Sequence, residues 1–270
     1  MFNKFFRKAL RKQGLPSLVP GASTHADAVQ HYLRGNGVEI GAFKTPIPGI
    51  RPVYVDRFGH YANEPTGAEY LGDACALPFH DRSLDYVATS HVIEHVANPV
   101  AAFKEWCRVL KHEGIIYMVV PDRRLTFDHP RPLTPVPHIL DDFARGTTQV
   151  DGTHIDDFTY GVDWSLFSPA TPPERVQAER EALAASYRER IAQGLEINIH
   201  FHTYESPQMT ALIEETNHLL GGPTIHVLHA VERFPAENPI GFLIIAQVRH
   251  PLIARAPHQG PALRPDARRF

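Results

Sequence analysis

Val38-Glu39-Ile40-Gly41-Ala42, Val53-Tyr54-Val55-Asp56, Gly72-Asp73-Ala74-Cys75-Ala76-Leu77-Pro78-Phe79 and Leu84-Asp85-Tyr86-Val87-Ala88-Thr89-Ser90-His91-Val92-Ile93-Glu94-His95 are the stretches whose reading decides the fold. The first is a strand running into a glycine turn and the second is a strand closed by an acid. The fourth is a buried strand followed by a polar segment. A capped helix over 99–110 and a strand over 114–120 follow, ending at Pro121-Asp122. Carboxylates stand at the carboxyl ends of successive strands, the edge of an open α/β sheet where ligands bind.

Working outward, short apolar runs at 37–41, 52–56, 84–90 and 114–120 predict strands. The helix has Asn98 as its N-cap and Pro99 at its first position. Val100, Phe103, Cys107 and Leu110 form its buried face, and Gly114 ends the segment. A further helix starts at Ser206-Pro207 and presents Met209, Leu212 and Ile213. Two late strands, 225–233 and 241–249, flank Asn238-Pro239. Alternating strands and helices predict an α/β fold with a mainly parallel sheet. Residues 121–205 break that rhythm. They are rich in loops, aromatics and histidines, with a helix at 174–192 whose one face carries Val176, Leu183, Tyr187 and Ile191. As an insertion after the fifth strand, beside the ligand edge, this segment is expected to form a substrate lid.

The 270 residues suffice for one domain, 37–250, carrying the insertion 121–205, with an N-terminal helical extension over 1–36 and a flexible tail over 251–270. A net charge of −3 does not suggest nucleic acid as a partner. Two cysteines, Cys75 and Cys107, are too few for a disulfide framework and fit a reducing, cytoplasmic setting. No stretch is apolar enough to span a bilayer. Met1 to Lys12 holds five basic residues and no acidic ones, with Phe2, Phe5, Phe6 and Leu10 at helical spacing. That segment reads as a helix packed on the domain or on a second subunit, or as a peripheral membrane contact. The tail from Ala254 to Phe270 is rich in Pro, Ala and Arg and has no periodicity.

The string Leu77-Pro78-Phe79-His80-Asp81-Arg82-Ser83-Leu84-Asp85, followed by Ser90-His91-Val92-Ile93-Glu94-His95-Val96, resembles class I S-adenosylmethionine-dependent methyltransferases of the type 11 kind. The resemblance covers roughly residues 37 to 122. It implies a Rossmann-like fold with a mainly parallel seven-stranded sheet, the two late strands forming a C-terminal antiparallel pair. It implies S-adenosylmethionine as the cofactor. On that reading Glu39, Gly41 and Ala42 make the first turn, and Asp56 accepts the ribose hydroxyls with Arg57 beside it, either free or paired with Asp56. Asp73 and Ala74 meet the adenine, and Ser90 and His91 lie along the methionine part. Phe43 and Thr45 stand where dinucleotide sites carry further glycines. This argues against a pyrophosphate and is tolerable for a cofactor without phosphate. Glu39, Asp56 and Asp73 also suit a cationic sulfonium in a partly desolvated cleft. His91-Val92-Ile93-Glu94-His95 matches a zinc-protease pattern as well, but that pattern belongs inside a helix. Here it follows a buried strand and precedes the Asn98 cap.

Methyl transfer is a one-step displacement in which positioning can supply about 7–11 kcal/mol and a general base a factor of about 10²–10⁴. Histidine suits the base at neutral pH. The candidates are His200, His202, Asp122, His129, His138 and His154. The runs Pro121-Asp122-Arg123-Arg124-Leu125-Thr126-Phe127-Asp128, Arg131-Pro132-Leu133-Thr134-Pro135 and His200-Phe201-His202 are similar to a subgroup of bacterial methyltransferases that accompany glycosyltransferases. That likeness implies O-methylation of a sugar or polysaccharide intermediate. Methylation of another small molecule at nitrogen or carbon, or a non-catalytic cofactor-binding module, are the competing readings. His200 and His202 alternate on an extended segment and so share one face. They are a base with an orienting partner or, with Asp151, His154, Asp156 and Asp157, ligands of a divalent cation such as magnesium. The metal-free reading is preferred. The expected partner is a small molecule or glycan, and the sequence leaves room for an oligomer.

Overall fold

The computed structural model describes residues 24–61, 63–149 and 151–251. The basic N-terminal segment and the tail from Ala254 therefore lie outside the described residues. Nine strands are described: β1 Gly37–Ile40, β2 Val53–Asp56, β3 His60–Tyr61, β4 Glu64–Pro65, β5 Tyr70–Leu71, β6 Leu84–Ser90, β7 Leu110–Pro121, β8 Thr224–Phe234 and β9 Gly241–Arg249. The helices are α1 His25–Tyr32, α2 Pro99–Val109, α3 Val136–Arg145, α4 Gly152–Gly161, α5 Trp164–Phe167, α6 Val176–Ala192 and α7 Ser206–Thr216.

Seven strands form one sheet in the order β5-β2-β1-β6-β7-β9-β8. β9 is antiparallel to both of its neighbours and the remaining pairs are parallel. The expected sheet is therefore present, mainly parallel and closed by an antiparallel pair. Register sets the ligand edge. Ile40 pairs with Val55 and Thr89, and Asp56 with Leu71. Gly41, Asp56, Gly72 and Ser90 consequently leave the sheet side by side.

The strand-helix alternation fails on one half of the sheet. Residues 41–52 form an irregular loop, and β3 and β4 form a small hairpin between β2 and β5. Pro46, Pro48, Gly49 and Pro52 withhold the donors and the stiffness a helix needs there. The face this leaves open is covered by α1, whose Ala28 and Val29 pack with Ile47, Tyr86, Tyr117 and Phe234. The opposite face is covered by α2 and α7, with Phe103, Trp106, Met209 and Leu212 packed on Val38, Val87 and Ile116.

The α2 signals act as expected at one end and not at the other. Asn98 Oδ1 accepts the Ala101 N–H at 3.0 Å and Pro99 opens the helix. The helix ends at Val109, and Leu110 already pairs with Leu84 as the start of β7. Gly114 is thus a strand residue rather than a cap. A Cβ there would meet the Leu110 side chain at 3.0 Å, so the glycine makes room for that leucine. Loss of the N-cap is expected to cost about 1 kcal/mol. The urea midpoint of Asn98→Ala, compared with that of the parent at an unchanged slope, checks it.

The insertion has its own core, in which Ile155, Phe158, Trp164, Ala184 and Phe201 are buried. Val176, Leu183, Tyr187 and Ile191 of α6 pack against it, as their spacing requires. Among the described residues no helix is long and apolar enough to cross a membrane.

Candidate active site at the carboxyl edge of the sheet

A cleft of about 760 Å³ opens at the carboxyl edge. Its walls come from the ends of β1, β2 and β6, from the loop 72–76, and from two pieces of the insertion, 146–148 and Ile197-Asn198. Gly41, Asp56, Arg57, Asp73, Ala74, Ser90 and His91 all line it. Ala42 does not, and Glu39 lies beneath, fully buried. Gly41 is required by shape. Its φ is 70°, and a Cβ would stand 2.7 Å from Val92 Cγ2. Phe43 follows with φ 40° and makes an edge contact with Tyr61 at the cleft rim, the ring centroids 5.5 Å apart.

The acids have distinct surroundings. Asp56 Oδ1 accepts the Phe58 N–H at 2.9 Å. Burial raises the Asp56 pKa, against the lowering by the backbone N–H groups of Phe58 and Arg57. Arg57 turns away from Asp56 and pairs with Asp73 at 3.3 Å and Glu196 at 2.5 Å, which ties the insertion to the cleft wall. Asp73 Oδ1 accepts the Cys75 N–H at 2.7 Å, fixing the turn that carries Ala74 into the cleft. Glu39 Oε1 accepts the Ile47 N–H at 2.9 Å while its Oε2 is buried without a partner.

Burial pushes Glu39 up to about 7 from its ordinary 4.5. Between those pH values the folded chain holds a proton that the unfolded chain has released, so its stability falls as pH rises through the window. Glu39→Gln removes this slope. From pH ~5 to ~6 the parent is expected to lose about 1 kcal/mol relative to that variant. Parallel urea melts at the two pH values measure it, and equal differences at both would contradict it.

The histidines divide into groups. His91 and His95 line the cleft. His91, at φ 55°, turns the chain directly after β6. Burial, joined by a charge on His200, lowers His91 to about 4 and His95 to about 3. His95 Nδ1 donates to the Ile199 carbonyl at 3.0 Å, which leaves the Nε2 lone pair free. Glu94 lies beneath, its Oε1 3.8 Å from His95 Nε2 and 3.7 Å from His91 Nδ1. Both Glu94 oxygens are buried without a hydrogen bond, and burial pushes the carboxyl up to about 7. His200 makes an edge contact with His95, the ring centroids 4.7 Å apart, and holds Asp128 at 2.6 Å.

None of His200, His202, Asp122, His129, His138 and His154 lines the cleft. Asp122 is buried and paired with Arg124 at 2.5 Å, and His129 is paired with Asp163 at 2.7 Å. His154 and His202 gather with His138 around Asp142. His200 and His202 do not share a face, because the backbone bends at His202 and the fully buried Arg131 holds the His200 carbonyl at 3.0 Å. Asp156 pairs with Arg188, Asp157 with Arg131, and Asp151 caps α4, so these acids do not converge on one ion. Sequence reasoning gave no site role to His95, Glu94 or the 146–148 wall, and read Asn98 only as a helix cap. The repeated His and Glu of His91-Val92-Ile93-Glu94-His95 was the available signal for the first two.

Residues 54–118 match the family model described as a methyltransferase domain. That match runs from the second strand into the seventh, through the centre of the Rossmann-like, mainly parallel sheet. It is 42% identical over 106 residues to an uncharacterised 37.1 kDa protein carried on a transposon of Streptomyces fradiae. That match covers 36% of this chain and 31% of the relative. Among solved structures it is similar to S-adenosylmethionine-dependent methyltransferases from Thermotoga maritima and Methanosarcina mazei. The first is 17% identical over 84% of this chain and 87% of that one, with a TM-score of 0.44. The second is 17% identical over 83% and 98%, with a TM-score of 0.44.

Proposed function

We propose that the chain transfers a methyl group from S-adenosylmethionine to a hydroxyl of a sugar or polysaccharide intermediate, with a histidine as general base. The observation that carries this reading is that one cleft joins Asp56, the Asp73-Ala74 turn and the imidazole of His95. The donor set fits the cofactor. Asp56 is a carboxylate at the end of the second strand, where ribose hydroxyls are accepted in related nucleotide sites. The glycine at 41 admits close approach, while Phe43 and Thr45 leave no phosphate cradle. When bound, the cofactor supplies an electrophilic methyl carbon on a sulfonium.

His95 is neutral at neutral pH, with one tautomer fixed by Ile199, so its Nε2 lone pair is open to the proton of an attacking hydroxyl. Burial makes the ring a weak base that needs a negative neighbour. The resulting imidazolium would lie 3.8 Å from the Glu94 carboxyl, whose negative form stabilises it. His200, backed by Asp128, packs behind and holds the ring. Phe43, Phe58, Tyr61 and Phe143 supply apolar faces and Thr147, Thr148 and Asn198 supply polar groups, a lining suited to an acceptor with both C–H and O–H surfaces. A panel of sugar and glycan-intermediate acceptors, screened for transfer of a labelled methyl group, tests the reading. Transfer to oxygen is the expected product, and label found only on nitrogen or carbon acceptors would replace it.

A further inference from the structure

Four side chains of the insertion meet outside the cofactor cleft. His138 and Asp142 lie one turn apart on α3, His154 is in the first turn of α4, and His202 is in the segment before α7. Each offers one ligand atom, and the four atoms lie within 4.8 Å of one another. Asp142 Oδ2 stands 3.1 Å from His202 Nε2, 3.3 Å from His138 Nε2 and 3.8 Å from His154 Nε2. The Nε2 atoms of His138 and His154 are 3.3 Å apart. A tetrahedral zinc with bonds of about 2.0–2.1 Å places its ligand atoms about 3.3–3.5 Å from one another. The four measured edges scatter around that value.

The surroundings orient these atoms. His154 Nδ1 is 2.8 Å from Asp151 Oδ1 and donates to it, so its Nε2 carries the lone pair that faces the cluster. Asp142 Oδ1 accepts from Arg145 at 3.0 Å and Thr147 at 3.2 Å, which leaves Oδ2 for the cluster. Asp142 and His202 are fully buried and His154 nearly so, while His138 is 38% exposed and gives a path from solvent. A proton on His202 Nε2 joins it to Asp142 Oδ2. A second proton, on His138 Nε2, faces the His154 Nε2 lone pair across 3.3 Å, and one dication would take the place of both protons.

We propose that His138, Asp142, His154 and His202 bind one zinc-class transition-metal dication. Three imidazoles and one carboxylate select such an ion over magnesium, which prefers oxygen ligands. Four protein ligands close the coordination sphere, so the ion is structural. It staples α3, α4 and the 200–203 segment together. It also fixes the cleft wall, because Gly146 ends α3 and Thr147, hydrogen-bonded to Asp142, lines the cleft. The site is independent of the methyl-transfer reading and needs neither acceptor nor cofactor for its test.

The test uses the full chain, freed of any purification tag and analysed for metals by mass spectrometry. About one zinc per chain is expected, and chelation should lower the melting temperature, with zinc but not magnesium restoring it. His138→Ala, at the exposed ligand, should keep a folded circular dichroism spectrum and hold less than about a tenth of the parent's zinc. His226→Ala, outside the cluster, should hold as much as the parent. Cobalt loaded into the apo-protein should give the visible spectrum of a tetrahedral site. No zinc in the parent, together with no calorimetric binding of zinc to the apo-protein, overturns the proposal. So does zinc kept in His138→Ala and lost in His200→Ala, which would place the ion at Glu94, His95 and His200.

Discussion

His95→Ala is expected to lower kcat for methyl transfer to a hydroxyl acceptor by about 10²–10⁴, the contribution of a positioned general base. That corresponds to about 3–5 kcal/mol of barrier. The dissociation constant for S-adenosylhomocysteine should change little, because the ring acts on the acceptor proton. His200→Ala should cost less, since His200 does not line the cleft and packs against the His95 ring. Single-turnover rates, measured with cofactor affinity in parallel, separate the two. Near-normal kcat in His95→Ala would move the base elsewhere. A large loss in His200→Ala with none in His95→Ala would make His200 the proton acceptor.

Asp56→Ala is expected to weaken cofactor binding by roughly 10–150-fold with the fold unchanged. A charge-assisted hydrogen bond to a ribose hydroxyl contributes about 1.5–3 kcal/mol. The carboxylate also caps its own loop through the Phe58 N–H, so Asp56→Asn, which can keep that contact, should fold as the parent does and still bind poorly. A change in Kd below about twofold in both variants would place the ribose elsewhere.

The central strands and α2 were legible in the sequence because each is a short apolar run bounded by Gly, Pro or Asn, and their order alone put Asp56 and Ser90 on one edge. β5 and the β3-β4 hairpin were not, since two-residue strands carry no periodicity. The missing helix between β1 and β2 was not read, although Pro46, Pro48 and Pro52 disfavour one there, and what covers that face was not legible because α1 comes from a separate segment. The insertion was the least legible part. His200 and His202 promised a shared face only if the chain stayed extended, and the bend at His202 sends one ring toward His95 and the other toward Asp142. Arg131, buried between Asp128, Asp157 and the His200 carbonyl, holds that arrangement, and no local pattern signals such a contact.

The central claim is that the cleft at Asp56 is an S-adenosylmethionine site, and titration calorimetry of the full chain with S-adenosylhomocysteine tests it most directly. One site per chain is expected, weakened in Asp56→Ala, with no heat from NAD. No binding of the sulfur ligand at millimolar concentration, or equal binding of NAD, would contradict it.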